Sequence, residues 1–298
     1  MSGLAERLAQ GAPLLLDGAL GTELERRGQT CALPLWSAHA LLEQPELVEQ
    51  IHRDYVAAGA DALTANTFRT QERTLRRGGL RERTRELTRR AVELARRAAR
   101  YASNPPYVLG SSPTLEDCYR PDLVPDDDAL AREHQAHAEN LAEAGVDGLL
   151  VETMNSVREA LAAATAARAT GLPFCVSFVC GDDALLLSGE PLQRAAAAVA
   201  ELAPNVVLVN CMPPSKLEPC LEVLHTSGLP FGMYPNLGEP AEDGNYRHTE
   251  DLTPGAFAAC VEPWIRKGAR IVGGCCGTQP AHISALAQSL AHHEIRPS

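Results

Sequence analysis

The tetrapeptide Ala58-Gly-Ala-Asp61 leads directly into the apolar run Ala62–Asn66. A second copy of this turn, Ala144-Gly-Val-Asp147, leads in the same way into the run Gly148–Glu152. Each copy follows a stretch whose apolar residues recur at helical spacing, and glycine at such a place adopts the left-handed conformation that ends a helix. Both copies therefore predict a helix that turns into a buried strand.

The same alternation extends along the whole chain of 298 residues. Helix-like stretches rich in Ala, Leu, Glu and Arg separate most of the eight strand-like runs, which are Leu14–Asp17, Ala62–Asn66, Tyr107–Gly110, Gly148–Glu152, Phe174–Val179, Val206–Asn210, Phe231–Asn236 and Arg270–Gly274. Eight alternating units favour an α/β fold of the (β/α)8 TIM-barrel type over an open doubly wound sheet. The turn Gly18-Ala-Leu-Gly21 also lacks the G-x-G-x-x-G spacing of a dinucleotide-binding sheet. Because no linker-like stretch divides the chain, we expect a single domain over residues 1–298.

Composition narrows the class of protein. The net charge of −11 argues against a broad nucleic-acid-binding surface. The early apolar run Pro13–Leu16 is too short for a signal peptide or a membrane span. Nine cysteines without a regular spacing are typical of a reducing compartment. We therefore expect a cytoplasmic enzyme that binds neither nucleic acid nor membrane. The exposed-looking helices show no interface stripe that would indicate an oligomeric state.

Polar and thiol side chains follow most of the predicted strands. In a TIM barrel the carboxyl ends of the strands form the active-site face. The residues at those ends are Asp17, Asn66, Glu152, Cys211, Asn236, Cys275 and Cys276. A buried carboxylate without a partner is costly, so Glu152 should face hydrogen-bond donors or a cation such as a substrate ammonium. The sequence thus predicts one site at this face.

The cysteines among these residues point to a metal. Cys275 and Cys276 end the segment Arg270-Ile-Val-Gly-Gly-Cys-Cys-Gly-Thr278, in which the glycines are expected to let the backbone turn sharply, and Cys211 ends the run Val206–Asn210. Adjacent cysteines do not form an unstrained disulfide with each other. Three cysteine sulfurs with one open position are the arrangement of a catalytic zinc that binds a substrate thiol. The alternatives are small buried core residues and a structural zinc site, which an open three-cysteine set suits less well.

Other residue pairs that resemble metal ligands are interpreted as structural. The remaining cysteines lack a strand-end context; they are Cys31, Cys118, Cys175, Cys180, Cys220 and Cys260. His134 and His137 are spaced as a helical pair, but they stand among charged and polar residues, which predicts a solvated helix face.

Seven segments, read in order, are similar to those of a known family. They are Asp17-Gly-Ala-Leu-Gly-Thr-Glu-Leu24, Leu35-Trp-Ser37, Thr64-Ala-Asn-Thr-Phe68, Glu152-Thr153, Val209-Asn-Cys211, Tyr234-Pro-Asn236 and Gly273-Gly-Cys-Cys-Gly-Thr278. With these segments the chain resembles the homocysteine S-methyltransferase family, from about residue 13 to about residue 290. The two cysteine motifs in combination are the most specific part of the resemblance.

The resemblance implies a zinc-dependent enzyme with a (β/α)8 barrel. It assigns Zn2+ to Cys211, Cys275 and Cys276, and it implies that Asp17 and Glu152 hold the amino acid end of homocysteine. Asn236 stands where the family offers a side-chain oxygen near zinc or substrate. The implied reaction transfers a methyl group from a small donor to the zinc-bound homocysteine thiolate and gives methionine.

The identity of the methyl donor is open at this point. Because this chain carries no cobalamin module, we expect an onium donor such as S-methylmethionine or S-adenosylmethionine, which aromatic rings would attract. Candidate rings are Trp36, Phe68, Tyr234 and Tyr246, the last in the loop Gly238–Tyr246. The segment Gly110–Arg120 departs from the Ser-Glu-Tyr-Arg-Gly pattern that we associate with members using S-methylmethionine.

Two other functions fit the same residues. One is the thiol-activating barrel of a split corrinoid or folate methyl-transfer system, which would need a separate protein partner. The other is a methyltransferase for another small thiol or selenol, such as selenocysteine, because Asp17 and Glu152 would hold any α-amino acid.

Overall fold

The predicted barrel is confirmed. The computed structural model describes residues 3–240, 246–248 and 252–294. One parallel sheet of eight strands is present, formed by β1 Leu14–Leu15, β2 Ala62–Ala65, β3 Tyr107–Pro113, β4 Gly148–Met154, β5 Phe174–Phe178, β6 Val206–Asn210, β7 Phe231–Tyr234 and β10 Ile271–Val272. All eight coincide with predicted runs; β3 and β4 continue further than expected, to Pro113 and Met154.

Helices alternate with the strands and surround the sheet. The α-helices are α1 Leu4–Ala9, α2 Gly21–Arg26, α3 Ala40–Glu43, α4 Pro45–Ala57, α5 Glu72–Arg77, α6 Thr84–Ala99, α7 Asp127–Ala144, α8 Val157–Ala169, α9 Leu192–Ala200, α10 Leu217–Thr226, α11 Pro254–Arg266 and α12 Pro280–Glu294. Short 3-10 helices lie at Trp36–His39, Arg81–Arg83, Pro121–Leu123, Asp182–Ala184 and Pro214–Lys216. An antiparallel hairpin, β8 Gly238–Pro240 with β9 Tyr246–His248, follows β7.

The first and second strands close the ring. Neighbouring strands of the sheet pair in the order β1-β10-β7-β6-β5-β4-β3-β2. A parallel bridge between Leu16 and Ala62 joins the first strand of this order to the last. The Asp61 amide donates to the Leu15 carbonyl at 2.8 Å, and the Asp17 amide donates to the Ala62 carbonyl at 3.0 Å. The residue that follows the bridge, Asp17, is therefore held at the carboxyl end of the barrel.

The two Ala-Gly-X-Asp turns explain how neighbouring strands are aligned. Gly59 and Gly145 have φ of 99° and 84°, as a left-handed helix end requires. The carboxylate that follows each turn then accepts from the preceding strand: Asp61 from the Leu15 amide at 3.0 Å, and Asp147 from the Val108 amide at 2.6 Å.

Asn205, at the start of β6, repeats this contact without the glycine turn. Its side-chain oxygen accepts from the Phe174 amide of β5 at 3.0 Å. We call these three contacts, by Asp61, Asp147 and Asn205, the strand-start clamps. They join β2 to β1, β4 to β3 and β6 to β5.

Apolar side chains fill the barrel, and α1 closes its amino-terminal end. Leu4 and Leu8 of α1 belong to the same buried cluster as Leu14, Leu150 and other inward-facing strand residues. Gly148 makes room for α1, because a Cβ at this position would lie 2.6 Å from Leu4 Cδ2. A larger buried layer separates the strands from the surrounding helices.

The prediction of a solvated face for His134 and His137 is wrong. Their side chains are 1% and 2% exposed, because they continue the buried stripe of α7 that includes Leu130, Ala138 and Leu141. His134 Nε2 lies 3.3 Å from Glu159 Oε1, and His137 Nε2 lies 3.1 Å from the Ser111 carbonyl. The charged neighbours in the sequence point away from this stripe.

In the ranges 3–240, 246–248 and 252–294, no helix combines the length and apolar character that crossing a bilayer demands.

One buried histidine should make the stability of the barrel depend on pH. His52 of α4 is fully buried, and neither ring nitrogen has a hydrogen-bond partner among the described residues. Burial lowers its pKa to about 4, whereas in the unfolded chain the pKa lies near ~6.5. Between pH 7 and pH 5 the unfolded chain therefore binds a proton that the folded chain does not, which lowers the free energy of unfolding by about 2 kcal/mol.

We expect His52→Leu to remove this loss. The difference between the unfolding free energies at pH 7 and pH 5, measured by urea denaturation, should shrink by about 2 kcal/mol. His225→Leu, at an exposed histidine, is the matched control for the loss of an imidazole. An equal pH difference in wild type and His52→Leu would contradict the prediction.

Candidate active site

Most of the predicted strand-end residues meet at one cavity on the carboxyl face of the barrel. Asp17, Glu152, Cys275 and Cys276 line it, together with Asn66, Trp36, Phe68, Ser111 and Tyr234. Cys211 and Asn236 are not part of its wall, although Cys211 contacts Cys275. The cavity thus collects groups from β1, β2, β3, β4, β7 and β10.

The three predicted cysteine ligands form a cluster. The Sγ atoms of Cys211, Cys275 and Cys276 all lie within 4.8 Å of one another, and those of Cys211 and Cys275 are 3.2 Å apart. In the described residues, no other group of three His, Cys, Asp or Glu side chains converges in this way. The cluster supplies three soft donor atoms within reach of a single metal ion.

A buried amide positions Cys211 at the end of β6. The side-chain oxygen of Asn210 accepts from the Thr153 amide at 3.2 Å and from Ser177 Oγ at 2.7 Å, and its nitrogen donates to Thr153 Oγ1 at 3.0 Å. Asn210 thereby ties the ends of β4, β5 and β6 together. Cys211 follows with φ of 56°, a left-handed conformation that is rare for a side chain other than glycine.

The two glycines before Cys275 allow close packing and not the sharp turn that we expected. Neither has a φ in the left-handed region. A Cβ at Gly273 would lie 2.6 Å from Leu16 Cβ, and one at Gly274 would lie 2.3 Å from Thr278 Oγ1. Thr278 Oγ1 in turn donates to the Cys275 carbonyl at 2.7 Å. The glycines therefore let the cysteine segment lie directly against β1 and its own following turn.

The close contacts among the three thiols shift their pKa values in opposite directions. Hydrogen bonds from the Cys275 and Cys276 thiols lower the pKa of Cys211 to about 6. The same contacts raise the pKa of Cys275 and of Cys276, because each would then place a second negative charge beside Cys211. Without a cation the cluster holds one negative charge more readily than three.

Two buried carboxyl groups face the cavity without a basic partner among the described residues. Asp17 Oδ2 accepts from the Thr64 amide at 2.8 Å. Burial raises the pKa of Asp17 to about 8, and the nearby charge of Glu152 adds to this effect. Ser111 Oγ donates to Glu152 Oε1, and the Tyr234 hydroxyl donates to Glu152 Oε2 at 3.2 Å.

Burial raises the pKa of Glu152 to about 7, despite these two hydrogen bonds. Both Asp17 and Glu152 therefore lack the positive charge that would favour their ionised forms. A cationic group of a ligand, such as an ammonium, would supply it.

Asn236 has an unused acceptor. Its side-chain nitrogen donates to the Gly238 carbonyl at 3.2 Å, while its Oδ1 is buried and has no partner among the described residues. A buried amide oxygen normally has a hydrogen-bond or metal partner. Its own backbone amide donates to the Met212 carbonyl at 3.1 Å, which links Asn236 to the residue after Cys211.

Asn66, also predicted at a strand end, uses both polar atoms of its side-chain amide in hydrogen bonds to Ser37. Its Oδ1 accepts from Ser37 Oγ at 2.8 Å, and its Nδ2 donates to the Ser37 carbonyl at 2.9 Å. These two hydrogen bonds fix the 3-10 helix that carries Trp36. Asn66 therefore shapes the cavity wall.

The aromatic wall of the cavity consists of Trp36 and Phe68. Their rings meet edge to face with centroids 6.0 Å apart. Gly21 is required beside Trp36, because a Cβ there would lie 2.2 Å from the indole ring. The hydroxyl of Tyr234 donates a hydrogen bond to Glu152, as described above. The side chain of Tyr246 and residues 241–245 of its loop lie outside the described residues.

Sequence reasoning missed three residues of the site. Ser111 continues β3 beyond the predicted strand end, and Asn210 was assigned to a strand without a role. Tyr119, in the loop after β3, donates from its hydroxyl to the Cys211 carbonyl at 3.5 Å. For Asn210 a signal was present, since a polar residue in a buried strand needs a partner.

Comparisons with known proteins agree with this geometry. The family described as homocysteine S-methyltransferase matches residues 14–290. Homocysteine S-methyltransferase of Escherichia coli (strain K12) is 37% identical over 92% of this chain and 94% of that protein. Selenocysteine Se-methyltransferase of Brassica oleracea var. italica is 30% identical over 94% of this chain and 89% of that protein.

A solved structure has the same fold. The homocysteine methyltransferase MmuM from Escherichia coli, in its metallated form, superposes with a TM-score of 0.82 at 34% identity and covers 94% of this chain and 97% of that chain. The resemblance noted in the sequence is thereby confirmed over nearly its whole length. The chain belongs to the homocysteine S-methyltransferase family and is a methyltransferase.

Proposed function

We propose that this protein transfers a methyl group from an onium donor to the thiol of homocysteine, with Zn2+ held by Cys211, Cys275 and Cys276. The observation that carries the proposal is the convergence of three thiols beside two buried carboxyl groups that lack a basic partner in the described residues. In this proposal residues 1–298 form one homocysteine-binding domain, and the enzyme works in the cytoplasm.

The residues of the cluster fit a zinc ion. Zn2+ prefers cysteine sulfur, and three protein ligands with one open position are typical of its catalytic sites. The crowded thiols favour a cation at this place. The E. coli relative MmuM is described in a metallated form. When bound, Zn2+ lowers the pKa of a thiol that ligates it, so that the nucleophilic thiolate forms at neutral pH.

The carboxylates are proposed to orient the substrate. The Thr64 amide holds Asp17, while Ser111 and Tyr234 hold Glu152, so both groups are fixed before a ligand arrives. The ammonium of homocysteine would lower the pKa of both, since it favours their ionised forms. Anchored at this end, the amino acid extends its sulfur toward the cysteines, and such fixed orientation accelerates a displacement.

The methyl transfer is a single displacement. The homocysteine sulfur, having released its proton to solvent, forms a bond to the methyl carbon of the donor. The bond between this carbon and the donor's positively charged sulfur or nitrogen breaks, and its electron pair remains on that atom. Methionine and a neutral donor remnant result. Trp36 and Phe68 supply ring faces near which the positive donor is stabilised.

A second candidate acceptor is selenocysteine. The Brassica relative is described as a selenocysteine Se-methyltransferase, and Asp17 and Glu152 would hold the ammonium of either amino acid. Competition between homocysteine and selenocysteine for a limiting donor separates the two acceptors.

The activity itself is tested with purified, zinc-loaded protein and homocysteine. S-methylmethionine, S-adenosylmethionine, betaine and methyltetrahydrofolate are offered separately, and methionine is quantified by mass spectrometry. We expect turnover with an onium donor. Turnover only with methyltetrahydrofolate, or only after a corrinoid protein is added, would contradict the onium proposal and favour a split methyl-transfer system.

Removal of one cysteine should remove the metal. We expect the wild-type protein to bind about one Zn2+ per chain, and Cys275→Ser to weaken binding by about 100-fold or more, because one of three thiolate ligands is lost. Competition with a chromogenic chelator measures the affinity. Cys260→Ser, at an exposed cysteine outside the cluster, is the matched control. Equal zinc affinity in Cys275→Ser and wild type would refute the assignment.

Removal of one carboxylate should affect the ammonium group of the substrate. Glu152→Gln is expected to weaken homocysteine binding by about 10-fold to 100-fold, which corresponds to one charge-assisted hydrogen bond. Binding of 4-sulfanylbutanoate, a thiol acid without the amino group, should change by less than about twofold. Calorimetric titration of the zinc-loaded protein measures both. Equal losses for the two thiols would mean that Glu152 does not contact the ammonium.

A further inference from the structure

Arg69 is a cation beside Phe68, which lines the cavity, and it makes no hydrogen bond or ion pair within the described part of the chain. It follows Phe68, and its guanidinium carbon lies 5.3 Å from the centroid of the Phe68 ring. Its Nε is buried and makes no hydrogen bond, while the side chain as a whole is only partly buried. Burial lowers the pKa of this guanidinium. A buried Nε without a hydrogen-bond partner is costly, so a ligand that pairs with this guanidinium would be stabilised.

The acidic residues near Arg69 are engaged with other groups. Glu116 accepts from Arg73 at 2.9 Å and from Arg77 at 2.7 Å. Asp117 Oδ1 accepts from the Tyr119 amide at 2.9 Å. Arg69 is therefore not used by the ion pairs that connect α5 with the loop after β3.

The cavity beside Arg69 has the opposite charge. Its wall contains Asp17, Glu152 and the thiols of Cys275 and Cys276, and no lysine or arginine. Such a wall attracts an onium group but repels a carboxylate on the same molecule. A donor that carries both groups needs a cation at the rim, and Arg69 is adjacent to Phe68, which lines the cavity.

We propose that Arg69 binds the carboxylate of the methyl donor, so that the enzyme prefers an onium compound that bears a carboxylate. This inference rests on the proposed methyl transfer. The guanidinium suits the role because it pairs with a carboxylate through two parallel hydrogen bonds. The onium group then lies against the aromatic rings of Trp36 and Phe68, while the acceptor amino acid occupies Asp17 and Glu152. The two carboxylates of donor and acceptor are thereby kept apart.

The test compares two sulfonium compounds that differ only in a carboxylate. Binding of S-methylmethionine and of (3-aminopropyl)dimethylsulfonium to the zinc-loaded protein is measured by equilibrium dialysis without homocysteine. Arg69→Gln should weaken S-methylmethionine binding by about 10-fold to 100-fold and change binding of the carboxylate-free compound by less than about twofold. Arg69→Lys, which keeps the charge, should recover part of the loss. Arg76→Gln, at an exposed arginine of the following helix α5, is the matched control.

Three outcomes of the binding measurements would overturn the inference. They are equal losses for both sulfonium compounds, no loss for either, and a loss of homocysteine affinity in Arg69→Gln in place of donor affinity. Dialysis reports binding whether or not methyl transfer occurs. Selective loss of S-methylmethionine binding in a protein that transfers no methyl group would count against the proposed function alone, whereas full turnover by Arg69→Gln at an unchanged donor KM would count against the role of Arg69 alone.

Discussion

Closure of the barrel between β1 and β2 is the constraint on which the site depends. The strands meet through a bridge at Leu16 and Ala62, and the next residue, Asp17, then accepts from the Thr64 amide of β2. The Gly274 amide donates to the Asp17 carbonyl at 3.2 Å. The interaction that closes the ring therefore also positions a carboxyl group and the segment that carries two of the three clustered cysteines.

Burial of negative charge without compensation gives the site its chemistry. The cavity buries Asp17 and Glu152 and is lined by two of the three clustered cysteines, but no basic side chain of the described residues lies in its wall. The folded protein tolerates this because the groups can stay protonated, as their raised pKa values indicate. A positively charged ligand or metal favours the ionised forms of these groups over the protonated ones. The same arrangement thus favours cations at three places: the thiols, the carboxyl groups and the aromatic wall.

The barrel and its cysteines were readable from the sequence because they depend on local patterns. Strand-like runs between helical stretches recur eight times, and adjacent cysteines after Gly273 and Gly274 are a conspicuous local feature. The contacts of Ser111 and Asn210 are with strands that are distant in sequence. A polar residue in a buried strand indicates that Asn210 needs a partner, but no local pattern tells which residue the partner is. For His134 the local pattern gave a wrong prediction of a solvated face, because its neighbours in the sequence are charged although His134 itself belongs to the buried stripe of α7. The role of the two glycines was likewise set by close contacts with Leu16 and Thr278, which only the folded chain creates.

The strand-start clamps divide the barrel into pairs. Because Asp61, Asp147 and Asn205 each reinforce the contact between an even strand and the odd strand before it, the amino ends are tied as 1–2, 3–4 and 5–6. At the boundary between the first two pairs, the amino ends are joined by a backbone hydrogen bond from the Tyr107 amide to the Asp61 carbonyl at 2.9 Å. At the opposite end, Asn210 ties β4, β5 and β6 across a pair boundary. Local opening and amide hydrogen exchange should therefore begin at the boundaries between pairs, at the amino end of the barrel, far from the cysteines. Local unfolding there would leave the site at the carboxyl end intact.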